Sequence, residues 1–96
     1  MSTDRTVRVD VTATDIEHGE AGSCLLCPVA RALARVFPGV LVEVAPLHLR
    51  INGQRVAASD EVVGFIGVFD DPRLPAPAPF SFELRWVGAD ERWVAA

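Results

Sequence analysis

The chain has 96 residues, half of them apolar, with a formal charge of −4 and a pI near 5.0. That length suits one domain with a modest core, and the acidic balance argues against a nucleic-acid binder that works by neutralising phosphates. No apolar run is long enough to span a bilayer. Met1 to Arg5 is polar rather than an apolar signal region, so a cytoplasmic protein without a membrane partner is expected.

Residues 1–5 read as a flexible N-terminal arm, 6–87 as the domain, and 88–96 as a C-terminal extension or short edge strand. From Thr6 to Thr12 the chain alternates strictly, with Val7, Val9 and Val11 on one side and Arg8 and Asp10 on the other, which is the pattern of a half-buried strand. Thr14-Asp15-Ile16-Glu17 has capping-box spacing for a short helical turn that Gly19 can end. After a loop, Pro28 opens a helix at the position where its missing N–H costs nothing. Val29, Ala30, Leu33, Val36 and Phe37 make its apolar stripe, Arg31 and Arg35 lie on its wet face, and Pro38-Gly39 stops it.

Val40 to Val44 alternates again, and Leu47, Leu49 and Ile51 alternate with the parity shifted by one. A bulge or break is expected at Ala45-Pro46, where the shift occurs. Asn52-Gly53 signals a two-residue hairpin into Gln54 to Ala58. Ser59 caps a second helix with Asp60 and Glu61 in its first turn, and Val62, Phe65, Ile66 and Phe69 form its buried stripe. Gly64 and Gly67 either weaken that helix or admit a close neighbour. Pro72 to Pro79 is an extended connector, and Phe80, Phe82, Leu84 and Trp86 alternate in a last strand. Gly88 to Asp90 then turns into an edge segment that holds Trp93. The fold class is α+β in the order β-α-β-β-α-β, which predicts a four-stranded antiparallel sheet of ferredoxin-like or split-βαβ type with both helices on one face.

Three stretches carry a resemblance: Val9-Asp10-Val11-Thr12; Asp15-Ile16-Glu17-His18-Gly19 followed by Cys27-Pro28-Val29-Ala30; and Phe65-Ile66-Gly67-Val68-Phe69-Asp70 followed by Phe80-Ser81-Phe82. The chain resembles, from Val7 to Leu84, a group of small uncharacterised proteins of tailed phages, prophages and actinobacterial genomes. Their helix opens Cys-Pro-(Ile/Val)-Ala. The resemblance implies a phage-linked or mobile-element setting and no activity. In that group the cysteine matching Cys27 is the typical one and Cys24 is optional.

Cys24-Leu25-Leu26-Cys27 admits three readings. A thiolate at a helix N-terminus is favoured by the dipole, as in thiol-redox proteins. The spacing also suits zinc, with His18 and His48 completing a Cys₂His₂ set. The plainest reading is packing, with Cys27 a small buried residue at a helix start and Cys24 part of the loop. No nucleophile elbow and no phosphate loop occurs in the sequence, so no catalytic residue and no cofactor is expected. Phe80, Phe82 and Trp86 have the period of core burial rather than of a base-stacking platform. The leading expectation is a non-enzymatic interaction module whose partner is another protein. Its candidate contact residues are Asp60, Glu61, Asp70 and Asp71 on the second helix, and Trp93 at a sheet edge. The alternative is a small zinc-binding or thiol-redox protein built on Cys24 and Cys27.

Overall fold

In the computed structural model, which describes residues 4–96, the alternating Val7-Val9-Val11 segment forms β1 (Arg5–Val11). It pairs antiparallel with β5 (Phe80–Val87), placing Val9 opposite Phe82 and Val7 opposite Leu84. A turn at 88–91 returns the chain as β6 (Arg92–Ala95), so the first sheet has the order β1-β5-β6. The C-terminal segment is therefore an integral strand of the sheet. Of the arm expected over 1–5, residues 1–3 lie outside the described residues; Asp4 accepts a hydrogen bond from the Gly88 N–H at 3.0 Å, and Arg5 already belongs to β1.

A second sheet is a meander of β2 (Val42–Val44), β3 (His48–Ile51) and β4 (Gln54–Ala57). Asn52 and Gly53 both adopt positive φ, 51° and 81°, as the tight turn between β3 and β4 requires. The structure departs from the single four-stranded sheet of the sequence reading at Ala45-Pro46. There the chain reverses, with the Ala45 N–H donating to the His48 carbonyl at 2.9 Å and Val44 pairing with Leu49. A full reversal shifts the side-chain parity just as a bulge does, and it divides one expected strand into a hairpin. The chain is thus α+β with antiparallel pairing throughout, its strands shared between two three-stranded sheets.

The helices join the sheets. α1 (Ala13–His18) begins at Thr12, whose hydroxyl accepts from the Asp15 N–H while the Asp15 carboxylate accepts from the Thr12 N–H. The capping box is therefore Thr12–Asp15, two residues earlier than Thr14–Glu17. α2 (Pro28–Val36) lies against β1 of one sheet and β2 of the other. It buries Val29, Ala30, Ala32 and Leu33 completely, and a fully buried leucine of this kind contributes roughly 1.5–3 kcal/mol. α3 (Asp60–Phe69) is capped by Ser59 and buries Val62, Phe65 and Ile66, with Phe65 packed against the ring of Phe80 at 4.7 Å. β4 runs beside β6, and Gln54 Nε2 donates to the Glu91 carbonyl across that junction.

Trp93 is a correction to the sequence reading. It is 9 % exposed and packs against Phe37 and Trp86, with the Arg5 guanidinium over its ring. β6 runs beside β4, so Trp93 belongs to the core rather than to an open sheet edge, with only a small part of its ring at the surface.

Candidate functional site

Two places gather titratable side chains, and they behave in opposite ways. The first lies between α1 and α2. Asp15 is 1 % exposed and takes a two-pronged contact from Arg35, Nη1 to Oδ1 at 3.1 Å and Nη2 to Oδ2 at 2.7 Å. Arg31 Nε stands 3.6 Å from Oδ1, and Arg35 Nη2 also donates to the Asp10 carbonyl. The Arg35 guanidinium, helped by the Thr12 hydrogen bonds and outweighing burial, holds the Asp15 carboxyl down at about 2. Arg31 and Arg35 lie on the solvent-facing side of α2, as expected, and from there clamp α2 to α1 through Asp15. Gly19 closes this joint: a Cβ there would sit 2.6 Å from Pro28 Cδ and 2.7 Å from the Asp15 carbonyl oxygen. The cluster is a structural clamp, its carboxylate sealed from outside.

The second place is a pocket of about 210 Å³ where the loop 20–27, the β2–β3 turn and the C-terminal end of α3 meet. Buried Val29, Val44, Phe65 and Ile66 form its floor, and exposed Cys24, Pro46 and Asp70 stand at its mouth. Two hydrogen bonds hold the loop there. The Val44 N–H donates to the Cys24 carbonyl at 2.8 Å, and the Gly22 N–H, presented by a φ of +73°, donates to Asp70 Oδ1 at 3.0 Å. Leu25 and Leu26 in this loop and Leu47 in the facing turn are 52 %, 50 % and 69 % exposed.

Both cysteines line this pocket, and both are free thiols. Cys27 Sγ caps α2 by accepting from the Ala30 N–H at 3.4 Å, and burial pushes its thiol up, with the Asp70 charge adding to the same effect. Burial thus outweighs the helix N–H groups that the redox reading relied on. His18, at the end of α1, and His48, at the start of β3, do not line the pocket. Among the described residues no three His, Cys, Asp or Glu side chains gather as a cation would need, so the Cys24, Cys27, His18 and His48 set is not assembled.

The acidic candidates also separate. Asp60 and Glu61 border a shallow groove with Arg8, Ser81 and Glu83 at the start of α3, a helix roughly 15 Å long by its rise per residue. Asp71 is held by its neighbour Arg73, Oδ2 to Nη2 at 3.0 Å. Asp70 has no ion-pair partner among the described residues. Of the four, Asp70 alone combines a free charge with an apolar cavity. The Cys24–Asp70 juxtaposition spans more than forty residues, and the one local sign of it is Gly22, whose backbone conformation frees an N–H to point outward.

No protein-family model matches the chain, and neither a curated protein nor a solved structure matches it. Among the described residues no helix is long and apolar enough to cross a membrane.

Proposed function

We propose that the domain is a non-enzymatic protein-interaction module of the cytoplasm, and that its docking site is the pocket between the Cys24–Cys27 loop, the β2–β3 turn and α3. The observation that supports this reading is the union of a preformed apolar cavity, exposed leucines beside it, and one unpaired carboxylate, Asp70, at the mouth. That combination suits a peptide segment that inserts one apolar side chain and sets an arginine or lysine against Asp70. Its walls offer two thiols and a carboxylate, and the buried thiol is held protonated, which favours holding a partner over attacking one. The setting we propose is an accessory protein of a phage or mobile element acting on a phage or host protein, on the strength of the Cys27-Pro28-Val29-Ala30 and Phe65–Asp70 resemblance.

A displayed library of random peptides, panned against the immobilised domain, tests this. Enriched peptides should carry an apolar residue next to a basic one, and should lose binding once Cys24 is alkylated with a bulky maleimide. Enrichment of peptides indifferent to that modification, or no enrichment, contradicts the proposal.

A further inference from the structure

We infer that β1 is a self-complementary edge that pairs, two-fold symmetrically, with β1 of a second copy of this chain. β1 is the outermost strand of its sheet. The Ala96 N–H donates to the Glu83 carbonyl, so odd-numbered residues of β5 turn their backbone groups toward β6 and even-numbered ones toward β1. With Phe82 opposite Val9, the odd-numbered residues of β1 bond to β5, and Thr6, Arg8 and Asp10 turn theirs outward. The Asp10 carbonyl confirms the parity, since Arg35 reaches it from outside the sheet at 2.9 Å.

The outward edge reads Val7-Arg8-Val9-Asp10-Val11, which is its own charge complement when run antiparallel. A two-fold axis at Val9 sets Arg8 of each copy opposite Asp10 of the other, in the positions that exchange backbone hydrogen bonds, and sets Val7 opposite Val11. Centring on Arg8 instead opposes two arginines, and centring on Val7 opposes Asp10 to Asp4. Centring on Thr6 also opposes Arg8 to Asp4 but overlaps only residues 5–7 of β1, so charge and overlap together select the Val9 register. Arg8 and Asp10 already share the exposed face, 2.8 Å apart, so the paired strands bring four alternating charges together there. The six strands then run β6-β5-β1-β1-β5-β6. Arg35 already donates to the Asp10 carbonyl, and a carbonyl oxygen has two lone pairs, so the edge is partly guarded and a second copy must share that acceptor. An interface of one strand edge is small, so the association is weak and concentration-dependent.

Sedimentation of the wild type, Arg8→Asp, Asp10→Arg and an equal mixture of the two variants tests it. The wild type is expected to approach twice the monomer mass by about 1 mM protein, where a weak dimer populates. Each variant alone opposes like charges twice, and should associate at least about tenfold more weakly. The mixture restores both opposite-charge pairs and should recover the dimer. A wild type that stays monomeric, variants that associate as it does, or a mixture that stays monomeric each overturn the inference. Should either variant melt early, amide exchange of the wild type decides: the Arg8 and Asp10 amides slow with rising protein concentration, and an exchange rate independent of concentration overturns it.

Discussion

Asp15, inside α1, and Asp70, at the C-terminal end of α3, show opposite solutions to the same problem. At Asp15 the chain buries a charge and satisfies it from three directions, with Arg35, Arg31 and the Thr12 N–H. At Asp70 it leaves a charge on the mouth of an apolar cavity with a single neutral donor, the Gly22 N–H. The first arrangement fixes structure and leaves nothing for a partner to take. The second leaves contacts unmade, which is what a docking surface needs. Two aspartates far apart in sequence thus serve stability in one place and, on the proposed reading, recognition in another, and it is burial and pairing that tell them apart.

The largest effect is expected on the closed side. Asp15→Ala removes the carboxylate that Arg35 and Arg31 converge on, and with it half of the capping box. A loss of about 2–3 kcal/mol is expected, read from denaturant melts, since the arginines left behind stay partly solvated. Because the Asp15 carboxyl is lowered in the folded state from 3.8 to about 2, its contribution is complete above about pH 4 and disappears as pH falls through 2. Wild-type stability should drop by about 2 kcal/mol across that window through this group, and an Asp15→Asn variant should lack that part of the drop. An identical acid profile in the variant breaks the comparison.

The cysteines come next. Cys27→Ala should cost about 1–2 kcal/mol, since it removes a buried side chain and the α2 cap. Cys24→Ala should stay within about 0.5 kcal/mol, because that side chain is exposed. A thiol reagent should modify Cys24 in the native protein well before Cys27. Equal, severe losses from both substitutions would instead unite the two sulphurs in one structural role.

The smallest effect has the opposite sign. Among the described residues nothing lies within 4 Å of a Cβ built at Gly64 or Gly67, so neither glycine is there to admit a close neighbour from them. Alanine at either should raise stability by about 0.5–1 kcal/mol through helix propensity. Losses in binding without losses in stability would place the outer face of α3 in the partner interface.

These contrasts explain what the sequence could and could not disclose. Alternation located β1, β5 and the buried stripes of α2 and α3, because period and burial are local properties. Asn52-Gly53 announced its own turn, since few residues tolerate two consecutive positive φ angles. Ala45-Pro46-Leu47-His48 carries no such residue, and a parity shift arises equally from a bulge and from a reversal, so the second sheet stayed hidden. Asp15 resembled any solvated acid beside Glu17 and Glu20. Its burial depends on Arg35, twenty positions away, and on the small space that Gly19 leaves for Pro28. The cysteines were visible, but their pocket was not, because its other walls come from β2 and α3.

The most direct measurement is a titration of an enriched apolar-basic peptide into the wild type and into Asp70→Arg at low salt. Asp70 is exposed and bonded only to the Gly22 N–H, so the variant should melt within a few degrees of the wild type. Its affinity should fall at least about tenfold, and the loss should shrink as salt rises. Unchanged affinity in a folded Asp70→Arg protein would contradict the assignment of this pocket as the docking site.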